Sequence, residues 1–420
     1  MKYTYTQTHD QVAVTFTLPR DTPPSTRPVV TITSTTLTAT VSGTPIIRGP
    51  LFAPIHASDS LWQIEAPQRT APGVIAPRIV TVHLEKATAG VDWPVVVTES
   101  DDMDATSAYH LAQLLEAYDP PRALALYNKG ADHGDVACML KVAAFYEVGN
   151  ENAAAVPVNQ DINKANEWHR KAAHAPVDQY NAEYVAEACY ILATAYSNGH
   201  GDLAQDLPVS MALYERAVTL ARDELDRIGS QLSPLSAPGS PLGLSPVPKP
   251  TISQLAPGSA VKLRQLVQTC GFQAGLLHFE KQRYVEARAM WEYSGATGHA
   301  QSLFNLGVLY MNARGVDRDL ERAVAYMRQA VAADATGKLS IPEGLEAAAE
   351  KVARGETTEQ VFVESSSSKE RRRGEKRRRR EMAKKTTTDL QDALIVGTGL
   401  VIMGAGVWFA WKRWSSAAVL

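Results

Sequence analysis

Chemistry in a protein begins with nucleophiles, metal ligands and proton carriers at workable spacings, and this sequence offers few of them. Its three cysteines, Cys138, Cys189 and Cys270, stand far apart. No two have paired zinc or redox spacing, and no histidine is placed to complete a zinc set. Each lies in an apolar helical pattern, where a cysteine behaves as a small buried hydrophobe, and this usage points to a reducing compartment. Ten histidines are scattered along the chain. His133, His174 and His200 fall near expected helix ends or turns, a setting for capping or solvation rather than catalysis. Gly-rich phosphate loops, His-Glu-x-x-His and Gly-x-Ser-x-Gly are all missing. The sequence names no catalytic residue, no metal ligand and no cofactor-binding residue; no cofactor is expected, and an enzyme is disfavoured.

The dense chemical signal is electrostatic. A formal charge of −3 over 420 residues conceals a basic block within Lys369–Lys385. Arg371, Arg372, Arg373, Lys376, Arg377, Arg378, Arg379 and Arg380 form its centre, so the remainder of the chain is acidic. Such a run can be a nuclear import signal or a nucleic-acid patch. No aromatic side chains interleave the arginines, which argues against a stacking platform, and no nucleic acid partner is expected. Shortly after the block comes Ala393–Trp411, a run without charge that reaches the roughly 20 residues a membrane-spanning helix needs. Lys384 and Lys385 precede it, Lys412 and Arg413 close it, and Trp408, Trp411 and Trp414 occupy the interfacial positions. Glycines at 397, 399, 404 and 406 suit a membrane span better than a soluble core helix. The basic block then reads as a cytosolic segment held to anionic headgroups, and it sets the orientation. The expectation is a single-pass tail anchor with a cytosolic N-terminus, in the mitochondrial outer membrane ahead of the endoplasmic reticulum. No cleavable signal peptide is visible at the start.

Upstream, the first hundred residues read as β structure. Val12, Val14, Phe16 and Leu18 alternate with polar or small residues, as do Val30 and Ile32, then Leu37, Ala39 and Val41, then Val80, Val82 and Leu84. Breakers at Pro23-Pro24, Ser42-Gly43, Gly49-Pro50 and Pro72-Gly73 separate them, the pattern of an antiparallel sandwich. An ordered set of residues runs through this region: Tyr3-x-Tyr5-x-Gln7, Val12–Pro19, Ile46-Ile47-Arg48-Gly49-Pro50-Leu51, Ser60-Leu61-Trp62-Gln63-Ile64-Glu65, Val82-His83-Leu84-Glu85-Lys86 and Trp93. This set resembles a CS domain of the NudC type over about Tyr3–Val97. Tyr5 stands where that family commonly has tryptophan, and Ala66–Pro77 lengthens a strand connection. The resemblance implies a seven-stranded β-sandwich without a catalytic centre, similar to the small co-chaperones of the ninety-kilodalton heat-shock chaperone. Its signature residues are Tyr3, Tyr5, Gln7, Gly49, Leu51, Trp62, Leu84, Lys86 and Trp93. For Trp62 and Trp93 core packing is favoured over direct partner contact.

From Asp104 the period becomes helical. Ala108, Leu111, Leu114 and Leu115 fall on one stripe, Asp119-Pro-Pro-Arg122 breaks it, and Ala123–Gly134 starts again. Ala186–Gly201 then aligns with Gln301–Gly315, each followed by a second helix, Met211–Val218 and Glu321–Ala330. A weaker copy is Val136–Gly149 with Lys164–Ala173, and a shorter-turned one is Phe272–Glu280 with Val285–Tyr293. This resembles the Sel-one-like subclass of tetratricopeptide repeats. The turn residues are Tyr196, Gly199 and Gly201, with Tyr310 and Gly315 in the later copy. Glycine there supplies the positive φ that ends the first helix, and helical pairs that cannot bury their own faces stack into a solenoid. Packing between helices is favoured over ligand contact for Tyr196, Tyr310, Trp168 and Trp291.

The expected fold is multidomain: an all-β CS sandwich, an α-helical repeat solenoid and one C-terminal transmembrane helix. The segments are a CS domain at 1–100, repeats at 104–228, a disordered Pro/Ser/Gly-rich insertion at 229–260, further repeats with a capping helix at 261–355, a polybasic linker at 356–390, the span at 391–414 and a tail at 415–420. Ser340-Ile-Pro-Glu343 has capping-box spacing for that last helix. The expected role is a tail-anchored adaptor or co-chaperone. The CS domain would hold a chaperone of the ninety-kilodalton heat-shock class or an unfolded client, and the repeats a second protein. The alternative is a membrane receptor or scaffold for organelle positioning or quality control.

Overall fold

Alternating apolar and polar side chains place every second residue on one face of an extended chain, and the described residues of 4–85 form seven strands. The strands are β1 (Thr4–Gln7), β2 (Gln11–Thr17), β3 (Val29–Ile32), β4 (Thr36–Val41), β5 (Thr44–Pro50), β6 (Leu61–Ile64) and β7 (Ile79–Glu85). These belong to a computed structural model that describes residues 2–18, 22–23, 25–64, 78–152, 157–232 and 257–354. The described residues fall into two units, the first reaching Leu263 and the second beginning at Arg264.

In the first unit β1-β2-β7-β6 form one antiparallel sheet and β3-β4-β5 a second. Register puts Val12 opposite Leu84, Val14 opposite Val82 and Phe16 opposite Val80, so both strands turn their apolar side chains to the same face. With Leu37, Ala39, Val41 and Ile47 from the other sheet, and with Trp93, these residues make one buried cluster. Ser42 and Gly43, at φ 49° and 82°, close the β4–β5 hairpin with the two left-handed residues that match strand twist.

Helices follow the sandwich: α1 (Ala105–Leu115), α2 (Pro120–Asp132), α3 (Val136–Asn152), α4 (Ile162–His174), α5 (Ala182–Asn198) and α6 (Leu207–Leu232). Next come α7 (Pro257–Glu280), α8 (Tyr284–Ala296), α9 (Ala300–Asn312), α10 (Leu320–Ala333) and α11 (Leu345–Ala353). Aspartates open many of them. The side chains of Asp104, Asp119, Asp161 and Asp319 each accept the amide of the third residue on, satisfying a donor the helix leaves orphaned. Each helix from α1 to α5 packs on its successor. In the second unit Trp291 of α8 is fully buried with Ala287, Leu306 and Leu309. α11 closes that unit by burying Leu345 and Ala349 against α9 and α10 residues such as Phe304 and Met327.

Three sequence expectations change. Leu114 is exposed; the buried residues of α1 include Tyr109 and Ala112 instead, because α1 serves both α2 and the sandwich edge and its last turn extends past them. The Ser340–Glu343 capping box does not form. α11 starts at Leu345 after Gly344 at φ 85°, with no side-chain cap, because Pro342-Glu343-Gly344 is taken up by a turn in which Leu345 N–H bonds Pro342 O. The Pro/Ser/Gly-rich insertion is narrower than 229–260. α6 runs on to Leu232, since the first breaker is Pro234, and α7 begins at Pro257, where proline suits the first helical turn. Trp62 is half-buried on β6, the edge of its sheet, and packs against the core cluster. Residues 65–77, 233–256 and 355–420 lie outside the described residues, and with them the long strand connection, the core of the insertion, the polybasic linker and the expected span.

Candidate protein-interaction site

The CS signature residues mostly tie the end of the sandwich to its beginning. Lys86, at the end of β7, is buried, and its ammonium donates to Gln7 Oε1 at 3.0 Å, Thr8 O at 2.8 Å and Val91 O at 2.7 Å. Three donors thus meet three acceptors. Gln7 Oε1 also accepts the Trp93 amide at 2.9 Å, while its Nε2 donates to Trp93 O at 3.1 Å. Tyr5 OH donates to Pro94 O at 2.6 Å. Gln7, Lys86 and Trp93 are therefore one knot that straps residues 91–94 across β1. Trp93 is 1% exposed, and its indole N–H has no hydrogen-bond partner among the described residues. Gly49 answers to space. It sits at φ 150°, and a Cβ there would come within 2.3 Å of Val97 Cγ1. Leu51 and Leu84 are core residues.

Tyr3 reaches the other way. Its ring is buried in the sandwich and its hydroxyl lies 2.9 Å from Ser107 Oγ on α1. Sequence reasoning missed this junction, although an aspartate three residues before Ser107 was a legible cap signal. Asp104 Oδ1 accepts the Ser107 amide at 2.9 Å, and its Oδ2 accepts Ser107 Oγ–H at 2.6 Å and the Arg48 amide of β5 at 2.8 Å. Burial raises the Asp104 carboxyl above the ordinary range, opposed by the bonds from Ser107 and Arg48. Further along, Tyr180 OH and Gln179 Nε2, between α4 and α5, both donate to Thr17 O at the end of β2.

In the repeats the turn residues build one recurring joint. Tyr146, Tyr196 and Tyr310 each offer a backbone carbonyl to the amide of the aspartate that opens the next helix, Asp161, Asp206 and Asp319, at 2.9, 2.9 and 3.1 Å. Three residues after each tyrosine the chain turns left-handed, at Gly149, Gly199 and Ala313, with φ 65°, 67° and 52°. The α7–α8 hairpin does the same at Gln282, φ 59°. Gly201 and Gly315 take a second left-handed position. Tyr310 is buried and stacks on Tyr326 with centroids 5.7 Å apart, whereas Tyr196 is half-buried. Trp168 carries Lys171 over its ring at 4.2 Å.

Reactive groups are poorly placed for reaction. Burial pushes the Cys138 thiol up and the Cys189 thiol to about 11, away from the thiolate a nucleophile requires. All three cysteines are buried and unbridged. Burial also lowers His110 and His299 to about 4. His299 caps α9 by accepting the Ser302 amide, and His133 and His174 bond carbonyls of their own helices. In the second unit an open cleft of about 390 Å³ is lined by Arg288, Tyr310, Arg318 and Arg322 with Asp317 and Asp319, but Arg322 pairs with Asp319 and Arg288 approaches Glu292. Among the described residues no helix is long and apolar enough to cross a membrane. Exposed apolar side chains mark the sandwich at Val29, Phe52 and Leu61, and the end of α1 at Leu114 and Tyr118. Lys384, Lys385, Trp411, Lys412, Arg413 and the basic residues Arg371–Arg380 lie outside the described residues.

The CS domain family model matches residues 1–86, and the Sel1 repeat family model matches residues 107–135, 136–176, 186–221 and 300–334. The chain carries a CS domain followed by Sel1 repeats. These Sel1 matches pass over α7 and α8, the hairpin whose left-handed residue is Gln282. Among solved structures the chain is similar to a Sel1 repeat protein from Oxalobacter formigenes, at 15% identity over 60% of this chain and 87% of that one, with a TM-score of 0.34. It is similar to the nuclear movement protein from E. cuniculi GB-M1, at 17% identity over 23% of this chain and 100% of that one, with a TM-score of 0.19. The CS domain of human KIAA1068 protein matches at 19% identity over 24% of this chain and 77% of that one, also with a TM-score of 0.19. No curated protein matches the chain. A CS domain joined to Sel1 repeats makes this a protein-interaction adaptor.

Proposed function

We propose that the adaptor is non-enzymatic and uses its CS domain to hold a chaperone of the ninety-kilodalton heat-shock class or an unfolded client, while its Sel1 repeats hold a second protein. Ala393–Trp411 would anchor both at a membrane with the N-terminus in the cytosol, the mitochondrial outer membrane ahead of the endoplasmic reticulum. The observation that carries this reading is the direct succession of two interaction folds, with Val29 and Leu61 exposed on the sandwich. Holding two partners on one tethered chain turns their encounter into a local event and raises their effective concentration.

The test has two parts. The 420-residue chain is assayed for chaperone binding and for suppression of client aggregation; activity in either supports the co-chaperone role. Failure in both removes it and leaves a scaffold or receptor for organelle positioning or quality control. Imaging of the chain beside a version ending at Thr388 tests the anchor. An organelle outline that becomes diffuse on truncation supports it, whereas a diffuse or nuclear full chain overturns it and returns Lys369–Arg380 to a nuclear signal.

A further inference from the structure

The junction between sandwich and repeats is built differently from a tether. The β5 edge is closed by the chain as it runs into α1, and side chains at β1 reach the same segment. Along β5, Val96 O accepts the amide of Phe52 just beyond the strand, Pro50 O accepts the Thr98 amide, and Asp104 takes the Arg48 amide. Against β1, Tyr5 bonds Pro94, the Lys2 amide reaches Thr106 Oγ1 at 3.3 Å, and the rings of Tyr3 and Tyr5 meet His110 of α1 at 5.4 and 6.1 Å. α2 grips the connector from the far side: Lys129 Nζ donates to Ser100 O at 2.6 Å and Arg122 pairs with Glu99. At the centre, the single hydroxyl proton of Ser107 is spent on Asp104, so Ser107 Oγ accepts from Tyr3 OH. One continuous line of bonds thus runs from Tyr3, just before β1, through Ser107 and Asp104 to Arg48 of β5, and its first three residues are nearly closed to water, with Tyr3 2%, Asp104 7% and Ser107 1% exposed.

From this geometry we infer that Asp104 is a clasp that makes the CS domain and the first repeat one cooperative folding unit, so that neither opens without the other. An N-cap aspartate ordinarily serves its own helix alone. Here its second oxygen also accepts a strand amide, so in the closed junction loss of the carboxylate leaves that amide without a partner. The inference is independent of which partners bind. A partner of the CS domain would meet a sandwich already fixed to the first repeat and lacking a free β5 edge.

Native-state hydrogen exchange on the 420-residue chain tests the clasp. In the unaltered protein, amides of β5, residues 96–103 and α1 should exchange through openings of one common free energy. Asp104→Ala should speed exchange in β5 and α1 together by about tenfold or more, the scale of one lost buried hydrogen bond to a charged group, while α9 and α10 stay unchanged as internal reference. Tyr3→Phe keeps the helix cap and the ring, so the fold is retained; it should still quicken β1 and the first turn of α1 in concert. If β5 and α1 exchange with unrelated opening energies, or if Asp104→Ala accelerates α1 alone as a lost cap would, the clasp does not exist.

Discussion

The sandwich and the helical hairpins close their cores over very different sequence distances. Val12 must find Leu84 and Phe16 must find Val80, and the β5 edge is finished only by residues 96–104. A helix in the repeats finds its partner in the next helix, α5 on α6 or α9 on α10, through a joint that repeats from Tyr146 to Tyr310. Loss of one contact in the sandwich should therefore be felt far along the chain. In the hairpins it should be felt locally, since each repeat contacts chiefly its neighbours.

The sharpest way to break this contrast is Trp93→Ala. Removing a fully buried indole costs about 3–5 kcal/mol, and denaturant unfolding followed by strand and helix signals should show the sandwich and α1 weakened together. A loss confined to the sandwich would mean that its dependence on remote segments stops at the strap. Lys86→Met comes next. It leaves Thr8 O and Val91 O without the Lys86 donor, while Gln7 Oε1 keeps the Trp93 amide; at about 1–3 kcal/mol for each acceptor left unsatisfied, it should lower the unfolding midpoint and loosen residues 91–94 in exchange experiments.

Acid compares the two regions directly, because each holds one histidine whose folded pKa is lowered to about 4 by burial, His110 against the sandwich and His299 in the second unit. The unfolded value is near 6.5, so the unfolded state binds the proton first. The stabilisation is complete above about pH 6.5 and is lost as pH falls from 6.5 toward 4, by about 1.4 kcal/mol per pH unit for each histidine. Denaturant midpoints measured between pH 7 and 4 should fall accordingly, and His299→Gln should flatten only the second unit's share. The smallest effects are expected at the turns. Gly199→Ala forces a Cβ into a left-handed position and should destabilise by about 1 kcal/mol, whereas Ala313→Gly should stabilise by somewhat less, since relief of left-handed strain exceeds the added chain entropy. Thermal melts of the pair would sharpen the comparison, and shifts of the same sign in both would mean the joint is not one geometry.

The two regions were also unequally legible. Period-2 alternation disclosed β2, β3, β4 and β7, but β1, β5 and β6 were visible only through the ordered CS signature, because edge strands need not alternate cleanly when one side meets solvent or a crossing segment. The helical copies at α3–α4, α5–α6 and α9–α10 were legible as repeats, whereas no Sel1 match falls on the α7–α8 hairpin that the sequence also offered as a copy. The left-handed turn there was not legible, since Gln282 carries none of the glycine that announces such a backbone. Of the candidate site, Lys86 and Gln7 were named as signature residues, yet nothing in their types shows that one carbonyl oxygen of Gln7 serves both Lys86 and Trp93.

What the sequence by itself determined is whatever depends on neighbours a few residues apart: strand and helix periods, aspartate caps, the proline breaks, and a charge-free run beside a basic block. The tertiary structure alone decided which polar groups share a partner. Asp104 reads as a cap from its spacing to Ser107, but its second oxygen was free to face water until β5 folded against it. A buried amide can be satisfied only by whatever the finished fold brings within about 3 Å, and that proximity is a property of packing rather than of sequence spacing.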